Sequence, residues 1–328
     1  MSSQRKKIIS FSLWGSLPLY NVGAVKNAEL AKTIYPGWLC RYYVASDVEP
    51  STIARLRRFD HVEVVEMGQP GSHAAACWRF VALDDNDVEI AIFRDLDSRL
   101  TPREKAAVDE WLGGSRSFHI MRDSPLQHAA INAGAWGGRA KIPGGLRAHL
   151  DLYLINNQTR DFGYSLDQKF LGEIIYPIIA PDTLVHDEFH QGNPFPISSV
   201  EGEFIGEKIM PDGSPDPVAR AFTQDCRKNP SKSIAVYYLR YGNRLRQVPE
   251  RHAEALACYR RAIAIEDRLI PAHINLGNLL HRIGKTSEAE QAYREALARD
   301  PKTAEGYANL GAIQINRGQL KKAERLIQ

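Results

Sequence analysis

The chain has 328 residues, 44% of them apolar and 25% charged. That is about twice a typical domain length, so one small stapled module and wholesale disorder are excluded, and two domains or a domain plus a repeat array are expected. Lys and Arg number 42 against 39 Asp and Glu, and a net charge of +3 is too near neutral for the broad basic footprint of a nucleic-acid binder.

The opening segment, MSSQRKKIISFSLWG, is charged at its start. Its apolar run is short, holds Ser10 and Ser12, and meets no small-residue cleavage site, so it reads as a first strand rather than a secretory signal. No stretch approaches the roughly 18 to 20 continuous apolar residues of a membrane span. A soluble, cytoplasmic chain is the expectation. The cysteines Cys40, Cys77, Cys226 and Cys258 show no C-x-x-C spacing, which argues against a disulfide framework or a zinc cluster.

From the N-terminus, short β-rich runs predict strands near 7–14, 39–46, 62–67, 89–94, 117–122 and 183–187. Amphipathic stretches predict helices near 21–34, 50–58, 73–83, 102–113, 144–156 and 165–179. The Thr101-Pro102-x-Glu104 start suits a helix, since Thr caps and Pro is tolerated in the first turn. Alternation of this kind implies an α/β domain over 1–190, a largely parallel sheet sandwiched by helices. Residues 191–231, rich in Pro, Gly and Asp, read as a wrapping segment and linker.

The strongest chemical signal is Arg94-Asp95-Leu96-Asp97 directly after the apolar run EIAIF. In a parallel sheet the ligand site lies beyond the carboxyl ends of the strands, where the fourth strand delivers these residues. Two carboxylates one residue apart on a bending strand end can both turn toward one divalent ion, supplying the oxygen ligands preferred by Mg2+ or Mn2+, and such an ion bridges a diphosphate. No G-x-x-x-x-G-K-[ST], G-x-S-x-G or H-E-x-x-H is present, so a P-loop, a serine elbow and a zincin helix are excluded. His119, inside an apolar strand, reads as a core residue.

Taken with FSLWG at 11–15, Trp78-Arg79-Phe80, FHIMRD at 118–123, INAGAWGGR at 131–139, SLDQKFL at 165–171 and VHDEFH at 185–190, the D-x-D resembles that of a GT-A fold glycosyltransferase. The resemblance spans nearly the whole first domain and implies a Rossmann-like nucleotide-diphospho-sugar transferase sandwich. It makes Asp95 and Asp97 the metal pair, with His186 standing where glycogenin-like members supply a late histidine. It places Gly134 and Trp136 close to the donor sugar, Trp136 offering a ring face or else filling the core. Asp167 and Gln168 would face sugar or acceptor hydroxyls, with Asp167 the first candidate catalytic carboxylate and Asp123 the second. Arg79 and Arg94 would balance diphosphate charge, and Leu13, Trp14 and Gly15 would border the base.

From about residue 232 the character changes. A shift of 34 superimposes Asn275 on Asn309, Leu276 on Leu310, Gly277 on Gly311, Gly284 on Gly318, Ala289 on Ala323 and Tyr259 on Tyr293. The period, the L-G pair and Pro301 resemble the tetratricopeptide repeat, an all-α solenoid, here in three units over 232–328 with the last incomplete. Either the array continues in a longer chain or this end frays.

The reading is therefore a glycosyltransferase dependent on Mn2+ or Mg2+. It would move a sugar from a nucleotide-diphosphate donor to a saccharide or protein hydroxyl, with the repeats recruiting a peptide or protein partner and no nucleic acid involved. The alternative is a tetratricopeptide interaction scaffold whose first domain is inactive.

Overall fold

The computed structural model describes residues 5–127, 129–157, 165–189, 192–200 and 202–319. The chain divides into two compact units, Met1–Gln224 and Asp225–Gln328.

The first unit is built on a seven-stranded sheet of β1 (Lys6–Leu13), β2 (Leu39–Val44), β3 (Val62–Glu66), β4 (Val88–Arg94), β5 (Phe118–Arg122), β6 (Ala135–Gly138) and β7 (Thr183–Asp187), in the order β3-β2-β1-β4-β6-β5-β7. Strand β1 pairs in parallel with both β2 and β4. Its last six residues, IISFSL, are buried, and four of them are apolar, as suits a strand covered on both faces. Phe11 stacks on Tyr42 across β1 and β2, ring centroids 4.8 Å apart.

The sheet is not wholly parallel. β6 runs antiparallel to both β4 and β5 and was not among the expected strands. Its four residues, AWGG, are too short and glycine-rich to read as a strand alone; the neighbouring ladders make it one. At Gly137 an added Cβ would lie 2.8 Å from Ala91 O and from Ile92 Cγ2, so the bare glycine lets β6 close against β4.

Helices α1 (Pro18–Ile34), α2 (Pro50–Leu56), α3 (Pro102–Gly113) and α4 (Leu146–Asn156) connect the strands. Thr101 caps α3, its Oγ1 accepting from Glu104 N at 3.2 Å. The Glu104 side chain is committed elsewhere: it lies buried against Arg94 Nε at 3.0 Å and accepts from Tyr35 Oη at 2.9 Å. The expected helix over 73–83 is instead a twelve-residue 3-10 segment, His73–Asp84. The expected helix over 165–179 is α5 (Leu166–Phe170), a π-helical turn at Leu171–Ile175 and α6 (Tyr176–Ile179).

After β7 the chain passes back over this unit. Ile205 N donates to Asp123 Oδ2 at 3.2 Å, Ile209 N donates to Asp97 O at 2.7 Å, and Arg220 Nε pairs with Glu207 at 2.7 Å. Helix α7 covers Pro217–Lys228.

The second unit is all helical: α8 (Pro230–Leu245), α9 (His252–Ile265), α10 (Ile270–Arg282), α11 (Thr286–Arg299) and α12 (Ala304–Asn316). Paired helices approach at small residues. A Cβ on Gly242 would stand 2.7 Å from Tyr259 Cε1, and one on Gly277 2.5 Å from Tyr293 Cε1. Each tyrosine then donates to an asparagine: Tyr259 Oη to Asn243 Oδ1 at 2.8 Å, Tyr293 Oη to Asn278 Oδ1 at 2.7 Å. The same oxygens accept Nδ2 of Asn275 and Asn309, which ties each unit of the array to the next. Gly284 and Gly318 turn the chain at φ +83° and +72°, conformations that L side chains rarely adopt. Among the described residues no helix is long and apolar enough to cross a membrane.

Candidate active site

The strand order reverses between β1 and β4: the chain moves outward from β1 to β3 on one side and from β4 to β7 on the other. At such a switch point the connecting loops part and leave a crevice beyond the carboxyl ends of the strands. A cavity of about 390 Å3 lies there. Ser12 and Trp14 reach it from the end of β1, Asp95, Leu96 and Asp97 from the end of β4, Asn132 and Ala133 from the loop before β6, and Ser165, Asp167 and Gln168 from the start of α5. Tyr20, His73, Ala76 and Arg79 complete the lining.

Arg79 organises its polar wall. The guanidinium, 4% exposed, ion-pairs with Asp95 through Nη1, donates from the same nitrogen to Arg94 O at 2.9 Å, and reaches Asp167 Oδ2 through Nη2 at 2.9 Å. Two carboxylates far apart in the sequence thereby share one cation. Burial raises the Asp167 carboxyl above its usual range against the pull of Arg79. Burial, reinforced by the Asp95 charge, raises Asp97 to about 6.

The backbone around these carboxylates is held from several sides. Ser98 Oγ donates to Asp95 O at 3.1 Å, and Asn27 of α1 spans the loop, donating to Ser98 O at 2.9 Å and accepting from Leu100 N at 3.1 Å. Gly23 lets α1 press directly on the loop, since a Cβ there would fall 1.7 Å from Leu96 O. Gln168 binds the backbone rather than pointing free, accepting from Ala133 N at 3.1 Å and donating to Ile131 O.

Of the residues expected at a site, the fold brings together Trp14, Arg79, Asp95, Asp97, Asp167 and Gln168. Gly15 borders them, with its N donating to Asp47 Oδ1 at 3.0 Å, and Gly134 packs on Asp95.

Others lie elsewhere. Trp136 does not offer a face to a ligand: it is 0% exposed, 4.4 Å from the Phe93 ring and 5.6 Å from Phe80, because β6 turns it into the core. Leu13 is likewise fully buried. Arg94 is spent on Glu104 inside the unit. Asp123 is completely buried, held by Arg103 Nε and Nη2 at 2.9 Å each.

His186 sits on β7, separated from β4 by β6 and β5. Its Nδ1 lies 2.8 Å from His119 Nε2, so it is not a third ligand beside Asp95 and Asp97. Among the described residues no three His, Cys, Asp or Glu side chains are grouped to hold an ion.

Sequence reasoning passed over Tyr20 and His73, which carry no motif, and over Ser165, although it opens the SLDQKFL segment. Ser12 did leave a signal, a hydroxyl near the end of a strand that is buried on both faces.

Two comparisons bear on the second unit. Residues 270–303 and 292–325 match tetratricopeptide repeat family models. The C-terminal unit therefore carries tetratricopeptide repeats, folded as the helix pairs described above, and repeats of this kind are protein-binding surfaces. No curated protein matches the chain.

Among solved structures the chain is similar to MamA, with 20% identity and TM-score 0.28 over 34% of this chain and 64% of that one. It is also similar to the second repeat domain of Spaghetti (RPAP3) bound to an HSP90 peptide, with 24% identity and TM-score 0.27 over 29% and 87%. A thermophilic repeat protein of Thermus thermophilus follows at 20% and 0.23, covering 30% of this chain and 51% of that one. The chain thus spans less than two thirds of the length of MamA and of the Thermus protein.

Proposed function

We propose that the first unit is a glycosyltransferase that uses a divalent cation, taking a sugar from a nucleotide-diphosphate donor to a hydroxyl acceptor, and that the repeats recruit the acceptor or a partner protein. The observation that carries this reading is the convergence of Asp95, Asp97, Arg79 and Asp167 on one cavity at the switch point between β1 and β4. The resemblance of the D-x-D and its flanking motifs to GT-A fold enzymes supplies the reaction class.

The donor set suits Mg2+ or Mn2+. Such ions are held by one or two carboxylates with substrate phosphates and water completing the shell, so a missing third protein ligand is no obstacle. Two acidic groups close enough to raise Asp97 are groups that a divalent charge would stabilise together. When bound, the cation would neutralise charge developing on the departing diphosphate. The chain's own part is positional: Arg79 fixes Asp95 and Asp167, Gln168 fixes the Ile131–Ala133 backbone, and the walls from β1 and α5 hold the reacting groups in place.

The test is Mn2+-dependent binding of a panel of nucleoside diphosphates and their sugars to the full chain, followed by calorimetry. Loss of binding in Asp95→Ala with Asp97→Ala is the expected result; unchanged binding refutes the assignment.

A second reading, an interaction scaffold with an inactive first unit, is favoured by the repeat family match. Donor turnover by the full chain decides against it, and peptide capture without any nucleotide binding decides for it.

A further inference from the structure

The 3-10 segment His73–Asp84 is three to four times the length at which such helices usually stop, and long runs mark strain or a functional constraint. Its middle is tied to β1. Ser12 Oγ donates to Ala76 O at 3.2 Å and accepts from Arg79 N at 2.9 Å, so one hydroxyl bridges the two backbone groups that an i to i+3 turn would join. Two residues earlier on the same face of β1, Ser10 Oγ donates to Arg79 O at 2.7 Å. Both polar groups of the Arg79 peptide backbone are thus gripped by strand serines, which are 0% and 4% exposed and alternate with the buried Ile9, Phe11 and Leu13. Such a pair has no packing advantage over Ala or Val at those positions. Its evident product is the placement of one residue.

We propose that Ser10 and Ser12 are positioning residues: they set the register of the 3-10 segment so that the Arg79 guanidinium spans from Asp95 to Asp167. The chain of contacts is continuous, from hydroxyl to Arg79 backbone, from Arg79 to both carboxylates, and from the carboxylates to the cavity. The inference rests on the proposed cation–diphosphate site only for its second readout.

The first readout needs no ligand. In full-length protein carrying 15N-labelled arginine, the guanidinium signals of Arg79 and Arg94, the two most buried arginines described, are assigned by substitution. Ser12→Ala is expected to broaden or shift the Arg79 signals while those of Arg94 stay in place, and Ser12→Thr, which keeps the hydroxyl, is expected to restore them. Unchanged Arg79 signals in Ser12→Ala overturn the proposal, as does equal disturbance of both arginines, which would mark general loosening.

The second readout is affinity for Mn2+ with inorganic pyrophosphate. Ser12→Ala is expected to weaken it about five- to tenfold, the scale of one buried hydrogen-bonding group. That loss should vanish in an Arg79→Gln background, because a residue acting through another contributes nothing once the other is gone. Additive losses overturn the proposal. Failure of the parent protein to bind Mn2+ and pyrophosphate refutes the site reading instead, and the arginine signals still decide the positioning role.

Discussion

Gly134 lies against Asp95 so closely that a methyl group on its Cα would stand 1.9 Å from Asp95 Oδ2 and 2.4 Å from Cγ. The bare glycine leaves room for the Asp95 carboxylate in its present orientation. Gly134→Ala must turn the short Asp95 side chain away from its present rotamer. Affinity for Mn2+ with a nucleoside diphosphate is expected to fall at least tenfold, with a change in stability of only about 1 kcal/mol. Titration calorimetry beside thermal melts checks this, and a variant that binds as the parent does removes Asp95 from the site.

The Arg94–Glu104 pair gives the opposite profile. Both groups are 2% exposed or less, and Tyr35 adds a third member. Glu104→Gln leaves a buried guanidinium without its counter-charge and is expected to cost about 3–5 kcal/mol. Cation affinity of the folded fraction should stay as it was, which urea denaturation and binding at low temperature separate. All five tryptophans, Trp14, Trp38, Trp78, Trp111 and Trp136, belong to the first unit, so tryptophan fluorescence follows its unfolding alone.

His119 makes the first unit sensitive to acid. Burial above all, then the His186 and Arg94 charges, holds its imidazole well below the usual value, so it is neutral in the fold. The unfolded chain takes up that proton near pH 6.5. Stability from this group is thus complete above about pH 6.5 and declines as pH falls, by up to about 1.4 kcal/mol per unit. Around it stand His186, which itself faces Glu110 at 3.6 Å, together with Arg94 and the stacked ring of Trp111. His119→Gln should flatten the fall in the fluorescence-detected urea midpoint between about pH 7 and 5.5; an unaltered slope contradicts it.

In the repeat unit, Gly277→Ala sets a methyl against the buried Tyr293 ring at 2.5 Å. Overpacking costs about 1–3 kcal/mol, and the gain in helix propensity returns about 1 of that. The transition seen by far-UV circular dichroism but silent in tryptophan fluorescence should move to lower temperature, and Tyr293→Leu in the same chain should recover part of the loss.

The sequence carried much of this arrangement because local pattern and final environment agree. β1, β2 and β4 each carry consecutive apolar residues because both of their faces are covered, and the repeat survives as successive glycine–tyrosine contacts. The readings that went astray depended on partners distant in the chain. Four residues at 135–138 become a strand only between β4 and β5, and that pairing sends Trp136 inward. The order β4-β6-β5-β7 removes His186 from Asp95 and Asp97, and nothing near residue 186 announces it. The segment 73–84 likewise has partners distant in the chain, since Ser12 of another strand bonds Ala76 O and Arg79 N. Arg79, by contrast, was legible as a cation near the site but not as the tie between two carboxylates.

Strand β6 runs against every neighbour it pairs with, and so it enters the sheet where β4 and β5 leave it. The rim that would otherwise receive only outgoing chain gains an incoming one, and the turn at 132–134 becomes a wall whose length is set independently of any parallel crossover. Rim and ladder are coupled there, because Ile131 is fully buried and its carbonyl accepts from Gln168, so a change of length just ahead of Asn132 would be felt in both.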